Sequence, residues 1–263
     1  MTCCLRQPFP TLGRMLGLPV RASRAGGRPA RRAEAPALTV APHVAVARGR
    51  VANGVVGVCL LGFGALFWLV RTKRSEAFDV AWTLRLQRRR RRWLDALMTV
   101  VSWPGFPPQS RVVPSSLIAL LAILRFPTEA LFLGIAWGSA VLSSGLKALM
   151  RRPRPVAGTD LRVVAAPLGG SSFPSGHVLT FVGTYGFVAY LATTLIRDGL
   201  VRDVTTGTLV GLVALVGPSR IYQGHHWTTD VSASYLVGTA YLVVVVTAYR
   251  GVKERQLGSR TGR

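Results

Sequence analysis

Residues 51–70 form a run of twenty with no charged side chain and almost no polar one. Wound as a helix, such a run is about 30 Å long, enough to cross the hydrocarbon core of a bilayer. A helix that is apolar all round has to be covered all round. Arg48 and Arg50 precede the run, and Arg71, Lys73 and Arg74 follow it, as cations at the headgroup level do. At the amino end, this segment reads as an uncleaved signal anchor.

Similar runs recur at 128–146, 178–196 and 231–249, with shorter ones at 112–124 and 204–216. The expectation is an all-α, six-span transmembrane bundle with an interfacial active site. Run 112–124 is the least certain crossing by length, because Arg111 and Arg125 leave only thirteen residues between them; snorkelling of the two arginines would let it span. Composition agrees with a membrane protein. Mean hydropathy is +0.35 while the net charge is +23, a combination foreign to soluble globules. A nucleic-acid-binding protein is also basic, but here the arginines lie between long apolar runs, so the expected partner is a bilayer with anionic headgroups and no nucleic acid. Cys3, Cys4 and Cys59 show neither zinc spacing nor a disulfide framework.

Residues 1–50 carry nine arginines and one acid, Glu34. They read as a basic disordered tail, with an organellar presequence or a later start at Met15 as the alternatives. Residues 51–250 form the membrane domain and 251–263 a basic carboxy-terminal tail. Residues 71–110 read as a polar connection. Its five-arginine run, 88–92, beside Trp93 suits the headgroup zone. Anchoring the protein to its own membrane is the preferred role for that run, ahead of recruiting an anionic lipid.

Three motifs follow: K-x6-R-P at 147–155, P-S-G-H at 174–177 and S-R-x5-H-x3-D at 219–230. Together they supply three fixed cations, two histidines, a carboxylate and a Ser-Gly turn, a set suited to a tetrahedral oxyanion with a nucleophile beside it. With six crossings, all three motifs reach the same face. In order and internal spacing they resemble the type 2 phosphatidic acid phosphatase and vanadium haloperoxidase superfamily. Ser234 stands where that family often places a glycine, a matter of helix packing.

The resemblance implies a phosphatase with a phosphohistidine intermediate. His226 would be the nucleophile, and Asp230, one helical turn on, would fix its tautomer. His177 would be the general acid and then the base. Lys147, Arg154 and Arg220 would hold the phosphoryl oxygens, with N–H groups of Ser175 and Gly176 at a helix start. His225, Arg151, Arg152 and Arg162 have no assigned role, and Ser219 reads as structural. No Asp/Glu cluster suits magnesium, and the fixed cations take its place, so no metal or cofactor is expected. The spans argue against the soluble haloperoxidase branch. The expected substrate is a lipid phosphate or diphosphate such as phosphatidate, phosphatidylglycerophosphate or a polyprenyl diphosphate. A phosphotransferase and a non-catalytic anionic-lipid-binding protein are the alternatives. The resemblance further implies a multi-pass protein of the cell membrane with its site facing away from the cytoplasm. Oligomeric state is left open.

Overall fold

The structure, a computed structural model, describes residues 42–89, 91–156, 161–163 and 169–261. Most of the expected amino-terminal tail, Arg90 of the arginine run and parts of the loop before residue 169 lie outside them. The described residues contain nine α-helices: α1 Pro42–Arg71, α2 Glu76–Gln87, α3 Arg92–Ser102, α4 Gln109–Ile123, α5 Pro127–Trp137, α6 Ser139–Met150, α7 Gly176–Leu195, α8 Gly199–Tyr222 and α9 Thr228–Thr261.

Five stretches are long and apolar enough to cross a bilayer: Ala47–Arg71, Pro127–Met150, Gly176–Leu195, Gly199–Tyr222 and Thr228–Ser259. The protein is an all-α membrane protein. The expected sixth span corresponds to α4, whose 15 residues make about 22 Å of helix. The span expected at 128–146 is interrupted at Gly138, between α5 and α6. A Cβ there would stand 2.8 Å from the Ile135 carbonyl and 3.1 Å from the Tyr241 hydroxyl.

Two helix ends differ from the sequence reading. Residues 204–216 were expected to end at Gly217-Pro218, yet α8 passes through both and reaches Tyr222. Pro218 has no N–H for the Ala214 carbonyl. The Tyr235 hydroxyl takes its place, donating toward the carbonyls of Val213 and Ala214 (2.8 Å each) and accepting from the Gly217 N–H at 3.0 Å. A Cβ on residue 217 would meet that ring at 2.5 Å, so glycine is required. The repair adds the turn that carries Arg220. At the carboxy end, α9 continues past Tyr249 to Thr261, so 251–261 is helical.

Helix α9 packs along α1 and α7, and α7 packs along α8. One apolar core joins Val178, Phe181 and Tyr185 to Val216 and Val231. A second joins Phe132, Leu133, Phe187, Val245 and Tyr249. A third gathers Val70, Met150, Phe173 and Ala233, which places the ends of α1 and α6 beside the second motif. At the opposite end, the buried Glu129 pairs with Lys253 (2.7 Å) and accepts from the Tyr249 hydroxyl (2.9 Å). Outward-facing Val58, Leu61, Ile123, Val141 and Leu149 are exposed, an apolar surface that a bilayer covers.

Candidate active site

The site forms where four helix ends meet a loop. Lys147 lies in the last turn of α6 rather than in a loop, Gly176 opens α7, Arg220 lies in the last turn of α8, and Asp230 is in the first turn of α9. His226 sits in the turn joining α8 to α9, and Arg154 comes from the loop after α6. Gly224 makes that turn possible: its φ is +71, and a Cβ would stand 2.2 Å from the Arg162 carbonyl.

His226 is 1% exposed. Its Nδ1 lies 2.7 Å from the Ser172 carbonyl. A carbonyl only accepts, so Nδ1 carries the hydrogen and the Nε2 lone pair is left for chemistry. Nε2 faces Arg154 Nη1 at 3.2 Å, and the same Nη1 donates to the His225 carbonyl at 2.9 Å. Burial, with Arg220, Arg154 and Lys147 close enough to act on the ring, holds the His226 pKa well below its usual value. The imidazole is therefore neutral and nucleophilic at pH 7.

The expected hydrogen bond from His226 to Asp230 is replaced by the one to Ser172; Asp230 Oδ2 stands 3.7 Å from Nδ1. The Asp230 oxygens are otherwise engaged. Oδ2 accepts from the Trp227 N–H (2.9 Å), and Oδ1 is ion-paired with Arg152. Arg152 in turn donates to Asp79 Oδ2 at 2.6 Å. Asp79, 1% exposed, also accepts from the Thr229 N–H and hydroxyl, at 2.8 Å each. This Asp79–Arg152–Asp230 chain fixes the start of α9, and no motif in the sequence marks Asp79, which lies far upstream of Lys147.

The remaining cations are handled differently. Arg220 is fully buried, and one nitrogen, Nη1, donates to Gln223 Oε1 at 3.0 Å. Its Nε and Nη2 have no partner, and neither does Arg154 Nε. Among the described residues no carboxylate lies within ion-pairing distance of Lys147, Arg154 or Arg220. The Lys147 ammonium lies 3.8 Å from where a Cβ on residue 176 would stand, at the amino end of α7. Burial also lowers the Arg154 pKa. Buried guanidinium N–H groups are costly to leave unpaired, so this arrangement is complementary to an anion.

Of the expected Ser175 and Gly176 N–H pair, one is occupied: the Ser175 N–H donates to Ser234 Oγ at 2.7 Å, leaving Ser175 Oγ unpaired. Ser234, the departure from the family pattern, is thus a tie between α9 and the second motif. The Gly176 N–H stands in the first turn of α7, where no carbonyl four residues back can take it. His177 Nε2 is buried without a partner. The ring packs on Gly105 and on the edge of Phe106, at 4.8 Å between centroids. Phe106 also carries the Arg220 guanidinium over its face (4.9 Å) and touches His225 (6.2 Å). His225 is buried, with neither ring nitrogen paired, and its pKa is pushed down to about 3 by burial, Arg220 and Arg154. Ser219 is structural as expected, bonded to Ser102 and the Val216 carbonyl.

Fold and site together define a helical membrane protein in which buried cations and histidines are gathered where helix ends meet. Over residues 129–254, a range containing all three motifs, the chain matches the PAP2 superfamily. It is 27% identical over 183 residues to phosphatidylglycerophosphatase B of Bacillus subtilis (strain 168), covering 67% of this chain and 85% of that one. It also resembles the crystal structure of a transmembrane PAP2-type phosphatidylglycerolphosphate phosphatase from Bacillus subtilis, with a TM-score of 0.65 and 23% identity, over 76% of this chain and 96% of that one. LpxE of Aquifex aeolicus matches at a TM-score of 0.50 and 24% identity, over 64% and 94%.

Proposed function

We propose that this protein, a phosphoric ester hydrolase by family, hydrolyses a lipid phosphate or diphosphate monoester without a metal, through a phosphohistidine on His226. His226 Nε2 attacks phosphorus while the bond to the leaving oxygen breaks. His177, protonated once the anionic phosphoryl group lies beside it, gives its Nε2 proton to that oxygen. Neutral His177 then takes a proton from water, the resulting hydroxide attacks phosphorus, the P–N bond breaks, and phosphate leaves. Lys147, Arg154, Arg220 and the first turn of α7 bind the equatorial oxygens throughout. Asp230, with Arg152 and Asp79 behind it, positions the turn bearing His226.

One observation carries this reading: unpaired guanidinium N–H groups of Arg154 and Arg220 are buried around a neutral histidine whose other nitrogen is fixed by the Ser172 carbonyl. The relatives' names favour phosphatidylglycerophosphate within the lipid-phosphate class.

Helix α4 completes a sixth crossing in this reading. Its start is beside Gly105, which packs on His177, and its end leads to α5, whose Glu129 pairs with Lys253 at the opposite end. The site face points away from the cytoplasm, as in the family resemblance.

The test is phosphate release by purified protein, with chelator present, from phosphatidate, phosphatidylglycerophosphate and undecaprenyl diphosphate. His226→Ala should abolish release while the protein stays folded in detergent. Release retained by a clean preparation of that variant would refute the mechanism.

A further inference from the structure

The cavity beside Lys147 and His177 continues beyond them. It has a volume of about 330 Å³ and runs between α4, α6 and α7, walled in part by Trp137, Ser143, Phe181 and Tyr185. Two of its hydroxyls, Ser143 Oγ and Tyr185 OH, are buried and make no hydrogen bond. Their residues are 3% and 6% exposed. A third hydroxyl on the same wall behaves otherwise: Ser144 Oγ donates to the Ala140 carbonyl at 3.0 Å. A buried donor left unpaired is destabilising. Ser143 Oγ and Tyr185 OH both belong to residues lining one cavity, which marks acceptors met when that cavity is filled.

Their depth indicates which acceptors. Ser143 is one turn inward of Lys147, its Oγ 3.3 Å from where a Cβ on Gly176 would stand, so it follows the phosphoryl-binding cations in depth. Tyr185 is eight residues beyond His177, about 12 Å along the helix axis. Helical side chains lean toward the amino end, which carries its hydroxyl back toward the site. Donors therefore continue from the phosphoryl level inward, into the bilayer. A glycerolipid phosphate has acceptors at that depth, two ester carbonyls joined to phosphorus by a short glycerol spacer. A polyprenyl diphosphate is hydrocarbon from its first carbon inward and would leave both hydroxyls unpaired.

Resting on the hydrolase reading above, the geometry points to Ser143 and Tyr185 as specificity-determining residues that select an ester-linked glycerolipid phosphate of the phosphatidate type by donating to its carbonyls.

The experiment measures kcat/KM of the full-length protein on dioleoyl phosphatidate, its ether-linked dialkyl analogue and undecaprenyl diphosphate. The wild type should favour the diester over the diether about three- to tenfold, the worth of a neutral hydrogen bond. Tyr185→Phe and Ser143→Ala should each bring that ratio toward one, mainly through KM. Ser144→Ala, whose hydroxyl is already engaged, should keep the wild-type ratio. Neither test hydroxyl holds a native bond, so melting temperatures should stay level. A wild-type ratio near one, a ratio unchanged in both variants, or one that falls only together with the melting temperature overturns the inference while leaving the hydrolase standing. Absence of phosphate release from every lipid refutes the hydrolase reading, and this inference with it.

Discussion

The two ends of the bundle bury charge in opposite ways. At the far end, Glu129 is matched by Lys253 and the Tyr249 hydroxyl, and the Lys253 stem reaches partly into solvent, with its side chain 36% exposed. At the site end, Arg220 and Arg154 keep N–H groups unpaired in the interior, beside a third cation, Lys147. The site end also contains a fully matched charge of its own, Arg152, held between Asp79 and Asp230. Pairing was therefore available in the same few ångströms and is absent where the phosphoryl group is expected. Matched charges hold helix ends in place; unmatched ones are a binding surface whose cost is met elsewhere in the fold.

Arg220→Gln tests the unmatched side. Removing one preorganised donor to a developing oxyanion costs roughly 10²–10³-fold in kcat, while thermal stability should hold or rise, because an uncompensated buried cation has gone. A large fall in melting temperature would show that Arg220 is structural after all. Asp79→Asn tests the matched side and should do the reverse. Breaking a buried pair from one partner costs about 3–5 kcal/mol, seen as a lower melting temperature, with the loss of activity following from the loosened start of α9. Glu129→Gln should be milder, about 1–3 kcal/mol, because Lys253 can turn to solvent and glutamine still accepts from Tyr249. Phosphate release by the folded fraction should be unchanged in that variant.

Much of this division was legible in the sequence, for identifiable reasons. Lys147, Arg154, His177, Arg220, His226 and Asp230 stand at fixed spacings within their motifs, and the apolar runs place those motifs at or between helix ends. What the sequence hid was pairing between distant segments. Asp79 meets Thr229 across 150 residues, and no periodicity records such a contact. Asp230 was assigned to His226 because i and i+4 share a helix face, but His226 precedes α9, so that rule did not apply and the Ser172 carbonyl took the nitrogen. The extension of α8 through Pro218 depends on the hydroxyl of Tyr235, a residue on another helix. Five stretches are long and apolar enough to cross, and α4, with 15 residues, falls short of them by length.

Acid provides the smallest and most localised probe of the site end. His225 and His226 both resist protonation in the folded protein, His225 down to about pH 3. In the unfolded chain each takes a proton near pH 6.5. Below that value the unfolded state binds protons that the folded state refuses, so stability falls as pH falls and is level above it. Each histidine contributes a slope of up to about 1.4 kcal/mol per pH unit. Thermal unfolding between pH 5 and 7 should therefore steepen toward acid in the wild type, and His225→Gln should remove part of the slope. Glu129→Gln should lower the whole curve without changing its slope over that range, because no histidine takes part in the Glu129–Lys253–Tyr249 network. Equal slopes in wild type and His225→Gln would mean that His225 already binds its proton in the folded state, and that the unmatched cations hold less sway over the site than their burial implies.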